Sequence, residues 1–284
     1  MVAVIDTGVD LAHEDLSLVS GYDAVHFETD GGPSSRGAAR GDAHGTACAG
    51  IVAAIRDNGM GVAGVAPGVR VMPVRVMYMS GAHLIFEFEW AIDGIQWAVD
   101  HGAHVLSNSW HSLESSDLTY TISYALRENR VLVFATGNGN SSVKFPASLP
   151  GVIAVGASSP CDTRKSPRSC DADPFWGSNY GQRADLSDRW PDVVAPGVMI
   201  FTTDMTGRCG YNMGNYTALF GGTSAAVPHV AGVAALLLSR NPSLTPEEVR
   251  RHIMQSADDI GRHGPDQSTG AGRLNAHQAL RAIR

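Results

Sequence analysis

The chain has 284 residues, 44% of them apolar, and a net charge of −7 with no basic tract or aromatic-interleaved patch. That size supports a substantial buried core in one large α/β domain, and the charge pattern gives nucleic-acid binding no support. No apolar run approaches the roughly 20 residues needed to span a bilayer, so no membrane partner is expected.

Met1 is followed at once by VAVI (2–5), an apolar strand-like run, with no signal-peptide pattern before it. The chain is therefore either cytoplasmic or given without a leader and any pro-segment. GTACAGIVAAI (45–55) reads as a small-residue helix opened by His44, with Cys48 a buried free thiol. VRVMPVRVM (69–77) reads as a strand, EFEWAIDGIQWAVDHG (87–102) as an amphipathic helix and HVLSNS (104–109) as a strand. DLTYTISYALREN (117–129) is the next helix, followed by the strands RVLVFA (130–135) and GVIAVGA (151–157). The segment 158–191, rich in Ser, Asp, Arg and Cys, reads as a long surface loop before the strand DVVAPG (192–197). Val230, Val233, Ala234, Leu237 and Leu238 recur at helical spacing, which places a buried helix after Ser224, with Pro228 near its first turn, where a missing N–H costs least. Thr245-Pro246-Glu247-Glu248 is a capping box that starts a last amphipathic helix.

The strands are apolar on both faces and alternate with helices. That pattern predicts an α/β fold: a doubly wound, mostly parallel sheet with helices on both faces. No linker divides it, so residues 1–284 are expected to form one domain. Cys161 and Cys170 share a polar loop and can bridge, Cys209 competes for either, and a reduced cytosolic chain remains open.

Ligands of an open parallel sheet bind at the carboxyl ends of its strands. Asp6 ends the first strand there, Asn138 follows RVLVFA, and His44 and Ser224 each open a helix. A serine hydroxyl needs a base to take its proton, and neutral imidazole does this near pH 7. A buried carboxylate orients the imidazole, and an amide such as Asn138 can donate to a developing oxyanion. Each residue also has a plain structural reading, Asp6 as a turn residue and His44 or Ser224 as a helix cap; their joint occurrence favours a triad.

In that order VAVIDTGVDLAHEDL, HGTACAG, ATGNGN and GGTSAAVPHVAG resemble the four signature blocks of the subtilisin-like (subtilase) serine peptidases. The blocks run from residue 2 to 232, and GAGRLNAHQAL resembles the family's closing segment. The resemblance implies a three-layer α/β/α fold and peptide-bond hydrolysis through an acyl-enzyme. Its implied roles are Asp6 as orienting acid, His44 as general base, Ser224 as nucleophile and Asn138 as oxyanion donor, with Thr223 behind Asn138. It further implies export from the cell and an inhibitory pro-segment. The α/β-hydrolases are the nearest rival, but Ala226 stands where their elbow needs glycine, and the order of triad residues differs.

The resemblance also implies a structural Ca²⁺ site, with Asp15 and Asn58 as side-chain ligands and Ile55, Met60 and Val62 as carbonyl ligands. A further family ligand lies upstream of the first strand, so the site is expected to be incomplete here. SNSWHS (107–112) resembles the substrate-pairing strand, with Ser109 and Trp110 facing the peptide and Gly137 opposite. His111 and Ser112 stand where the family has glycine, which changes the pocket wall. Phe145-Pro146-Ala147 resembles the family's cis-proline turn. The alternatives to a general peptidase are a catalytically silent binding module and a specialised leader-peptide processing enzyme.

Overall fold

The computed structural model describes residues 1–33, 40–181, 190–207 and 209–283. Its strands are β1 (Val2–Asp6), β2 (Tyr22–Asp23), β3 (Val71–Arg75), β4 (Met77–Ser80), β5 (His83–Phe86), β6 (Val105–Asn108) and β7 (Val131–Ala135), then β8 (Ile153–Ser158), β9 (Val193–Pro196), β10 (Ile200–Thr203) and β11 (Tyr216–Phe220). The α-helices are α1 (His44–Ala53), α2 (Phe88–Asp100), α3 (Ser116–Arg127), α4 (Thr223–Arg240), α5 (Pro246–Gln255) and α6 (Ala276–Arg281).

Seven strands form one sheet in the order β2-β3-β1-β6-β7-β8-β9, and every pairing in it is parallel. Alternation along each strand divides the core in two. Val2 and Val4 join the cluster under α1 and α4, whereas Ala3 and Ile5 join the cluster under α2 and α3. Val131 and Val133 face the first cluster, and Leu132 and Phe134 the second. Strands with both faces covered cannot alternate apolar with polar, which is why they read as unbroken apolar runs. The expected doubly wound α/β/α architecture is the observed one.

Four expectations need correction. The 69–77 strand ends at Arg75, and Met77–Ser80 instead forms a hairpin with His83–Phe86 across a two-residue Gly81-Ala82 turn. A second antiparallel pair, β10 with β11, was not expected at all. The 158–191 segment is not wholly surface: Lys165 is fully buried, pairs with Asp171 at 3.0 Å and lies over the Trp176 ring. Residues 182–189 of that segment lie outside the described residues. Pro228 falls within α4 as its sixth residue, beyond the first turn. Its ring removes the N–H that would bond the Ser224 carbonyl four residues earlier.

Cys161 and Cys170 are bridged, which settles the pairing that the spacing left open. Cys209 is exposed and free, and Cys48 is buried and free, as expected.

Candidate active site

The carboxyl edge of the sheet gathers the polar residues. β1 ends on Asp6, β6 runs into Ser109 and β7 into Thr136-Gly137-Asn138. Two helices of the first core layer deliver the rest: α1 begins on His44, and Ser224 is the second residue of α4.

Asp6 is fully buried, and its Oδ1 accepts from His44 Nδ1 at 2.7 Å and from the Thr7 N–H at 2.7 Å. A contact this short to a carboxylate puts the ring proton on Nδ1 and leaves Nε2 as the acceptor. Phe220 meets the imidazole edge-on, with ring centroids 5.3 Å apart. Burial pulls the His44 pKa down most strongly of any one influence, but Asp6 and Cys48, by charge and hydrogen bond together, more than offset this and hold it well above the ordinary histidine range.

Cys48 sits one turn behind His44 on α1. Its Sγ is 3.9 Å from His44 Nδ1, 3.9 Å from Asp6 Oδ2 and 3.6 Å from the Ser224 carbonyl oxygen. Acid, base and serine therefore meet around one thiol. Burial is the largest influence on Cys48 and pushes its pKa up, which keeps the thiol protonated near neutral pH. The i, i+4 spacing from His44 was the sequence signal for this contact; the small-residue run around it reads only as helix packing.

Ser224 Oγ donates to the Ser109 carbonyl at 3.1 Å, and Ser109 Oγ returns a bond to the Ser224 carbonyl at 2.9 Å. The second bond uses the acceptor that Pro228 leaves without a helical donor. A loss inside the helix thus becomes a tie between α4 and the end of β6. No hydrogen bond joins Ser224 to His44 among the described residues, an arrangement common before substrate arrives.

Asn138 has a fixed orientation. Its Oδ1 accepts from the Thr223 N–H at 2.8 Å and from Thr223 Oγ1 at 2.9 Å, which turns Nδ2 toward Gly222. Gly222 has φ 101°, and a Cβ there would stand 3.1 Å from Asn138 Nδ2, so only glycine suits the position. At the start of α4 the Thr223 N–H goes to Asn138 and the Ala225 N–H to Gly222. The Ser224 N–H has no intramolecular partner among the described residues, and it stands at the positive end of an 18-residue helix. Asn138 Nδ2 and the Ser224 N–H are thus two donors beside one hydroxyl.

Of the residues expected to face a peptide, Trp110 turns its side chain inward. It is buried against Phe86 and Phe134, and its Nε1 donates to the Ile5 carbonyl at 3.0 Å. The large ring gains more from the apolar layer than from solvent, so only the Trp110 backbone is left for a substrate. Ser109 likewise spends its hydroxyl on Ser224. Lys144, which sequence reasoning passed over, lies across Gly137, where an added Cβ would stand 3.3 Å from Lys144 Cγ.

The expected metal residues are partly assembled. Asp15 is fully buried and accepts from Asn58 Nδ2 at 2.6 Å and from the Val62 N–H at 3.5 Å. The Ile55 N–H donates to the Asp15 carbonyl at 3.0 Å, and the Met60 N–H to Asn58 Oδ1 at 3.0 Å.

The sequence profile of the Subtilase family matches residues 1–272. The chain belongs to the subtilase family. It is 38% identical over 283 residues to a thermophilic serine proteinase of Bacillus sp. (strain AK1), covering 98% of this chain and 61% of that protein. It is 35% identical over 327 residues to a calcium-dependent protease of Nostoc sp., covering 99% of this chain and 46% of that protein. The crystal structure of fervidolysin from Fervidobacterium pennivorans, described as a keratinolytic enzyme related to subtilisin, superposes with a TM-score of 0.78. The identity is 33%, over 99% of this chain and 42% of that one. The chain thus spans about half the length of these relatives. Among the described residues of this subtilase, no helix is long and apolar enough to cross a membrane.

Proposed function

We propose that this subtilase is a serine endopeptidase that cleaves peptide or protein chains by acyl transfer to Ser224. The observation that carries the reading is the convergence of His44, Asp6 and the Ser224 backbone on the Cys48 thiol, with the 2.7 Å His44–Asp6 bond at its centre.

A peptide carbonyl seated over Ser224 points its oxygen at Asn138 Nδ2 and the Ser224 N–H. The Ser224 hydroxyl swings from the Ser109 carbonyl to attack the carbon, and His44 Nε2 takes its proton. The imidazolium so formed is stabilised by Asp6, and the oxyanion by the two donors. His44 then protonates the leaving amine as the C–N bond breaks, leaving an acyl-Ser224 ester. Water repeats the sequence with His44 as base and releases the acid. Export from the cell is the localisation we attach to this reading, supported by the Cys161–Cys170 bridge.

A fluorophosphonate probe tests it. The expected result is a stoichiometric adduct on Ser224, located by peptide mass mapping and absent from a folded Ser224→Ala variant. A folded chain that takes no label is a silent module, and the peptidase reading fails.

The Asp15 loop fits Ca²⁺ in kind. A fully buried carboxylate with no ion-pair partner among the described residues has an amide, a backbone N–H and the Tyr216 hydroxyl near it. The Asn58 amide oxygen and the carbonyls of Ile55, Met60 and Val62 would complete an oxygen-only set. The ion would fix the loop that follows α1, the helix carrying His44, and takes no part in the chemistry. The name of the Nostoc relative supports the same ion. Saturating Ca²⁺ is expected to raise the melting temperature by roughly 5 °C over a chelated sample, and Asp15→Asn is expected to remove that increment. Equal melting curves with and without the ion overturn the site.

A further inference from the structure

Beside Ser224 the groove has two walls. One is the 109–112 segment, tied to Ser224 through Ser109. The other is Gly137-Asn138, tied to α4 through Thr223. The side chain of the residue on the acyl side of the cleaved bond must enter between them. Lys144 stands exposed on the Gly137 side of that gap. Its N–H bonds the Thr136 carbonyl at 3.1 Å, which fixes its backbone to the Gly137 wall. Its stem runs across Gly137, the residue whose φ of 102° and missing Cβ leave the lysine room. The next residue, Phe145, accepts from the Ser112 N–H at 2.9 Å, so the same short segment also touches the opposite wall. The Lys144 charge is felt across the gap by His111.

Lys144 also lines an open depression of ≈ 740 Å³ together with Ser112, Ser115, Phe145 and Ser148. Glu114 shares this lining, but no carboxylate is within ion-pair reach of Lys144 among the described residues. Burial first, and then Lys144, push the His111 pKa down, so near neutral pH the imidazole is uncharged and can donate a hydrogen bond. An ammonium with no ion-pair partner among the described residues, beside a neutral ring, suits a single carboxylate at the end of a short stem.

We infer that Lys144 makes this subtilase select peptides with aspartate or glutamate immediately before the scissile bond. The inference rests on the peptidase reading. It goes beyond it by assigning the substrate class from charge at one position. Ser112 donates its own hydroxyl to the Leu113 carbonyl at 3.0 Å, so the charge selection falls to Lys144. Lys144 is exposed at the mouth, so the preference is moderate and salt-sensitive.

The test is a set of chromogenic tetrapeptide anilides that differ only in the last acyl residue, Glu, Gln, Leu or Lys. The readout is the ratio of kcat/KM values, which does not depend on the fraction of active enzyme. Glu is expected to exceed Gln by about tenfold at low salt, and the ratio to shrink toward one at about 1 M NaCl. Lys144→Met is expected to erase the ratio, and Lys144→Glu to invert it in favour of the Lys peptide. If the enzyme is labelled by fluorophosphonate and Gln equals or exceeds Glu, the inference is overturned while the peptidase reading stands. A Glu preference that survives Lys144→Met overturns it as well. No hydrolysis of any peptide and no label overturns the peptidase reading, and the inference with it.

Discussion

Replacing Asp6 with asparagine is expected to lower kcat about 10,000-fold while the melting curve stays cooperative. The carboxylate is fully buried, and Thr7 and His44 both bond its Oδ1. An asparagine amide there either presents NH₂ to His44 Nδ1 or turns its oxygen to it. The first option forces the ring proton to Nε2, and the base can no longer accept from Ser224. In either orientation the imidazolium formed during attack loses its counter-charge. The pH profile separates these effects from simple disruption. Burial lowers the His44 pKa, and the charges and hydrogen bonds of Asp6 and Cys48 together raise it further than burial lowers it, Asp6 being the larger of the two. The base works only when neutral, so kcat/KM of the parent enzyme should climb as pH rises through a value above the ordinary histidine range. Removing the carboxylate removes the main raising cause and leaves burial, so the acid limb should move to lower pH even as the plateau collapses. A variant that loses activity but keeps the parent limb would mean that Asp6 does not set the protonation of His44.

The layers of this fold were legible because burial on both faces of a parallel strand forces an apolar run, and every strand of the central sheet except β2 shows one. The hairpins were not. Val71–Arg75 and Met77–Ser80 are joined through Val76 alone, with no Gly, Asn or Asp until Gly81, so nothing marked the change from parallel sheet to antiparallel pair. Tyr216–Phe220 and Ile200–Thr203 are separated by the long Gly- and Asn-rich 204–215 connection, which hides their pairing. The site shows the same division. Asp6, His44, Asn138 and Ser224 could be placed together because topology alone carries strand ends and helix starts to one edge. What topology does not specify is which way a side chain turns. Trp110 was expected beside the peptide and instead fills the apolar layer; Ser109 was expected there too, yet is bonded to Ser224. Pro228 was placed where its missing N–H costs least. Its actual position gives the Ser224 carbonyl to Ser109, and only coordinates reveal that exchange. Lys144 belongs to no motif; it matters through one contact with a glycine that has no side chain of its own.

Asn138→Ala is expected to lower kcat by about 100- to 1000-fold with little change in KM. The amide meets the carbonyl oxygen fully only when that oxygen carries charge, so its loss is felt in the transition state and not in ground-state binding. The orientation of the amide makes a sharper test possible. Thr223 gives two hydrogen bonds to Oδ1, and these hold Nδ2 toward the groove. Thr223→Val keeps the backbone donor and removes the hydroxyl, so the amide is held less firmly; a loss of about tenfold is expected, again in kcat. Asn138→Asp preserves the shape and both Thr223 contacts but replaces the donor with a negative charge. If Asn138 only braced the start of α4, the aspartate would serve as well as asparagine, and better by its charge at a helix N-terminus. If it stabilises an oxyanion, the aspartate should be at least as damaging as alanine while the protein melts no lower than the parent. Activity and stability then move in opposite directions in one variant, an outcome that a bracing role does not produce.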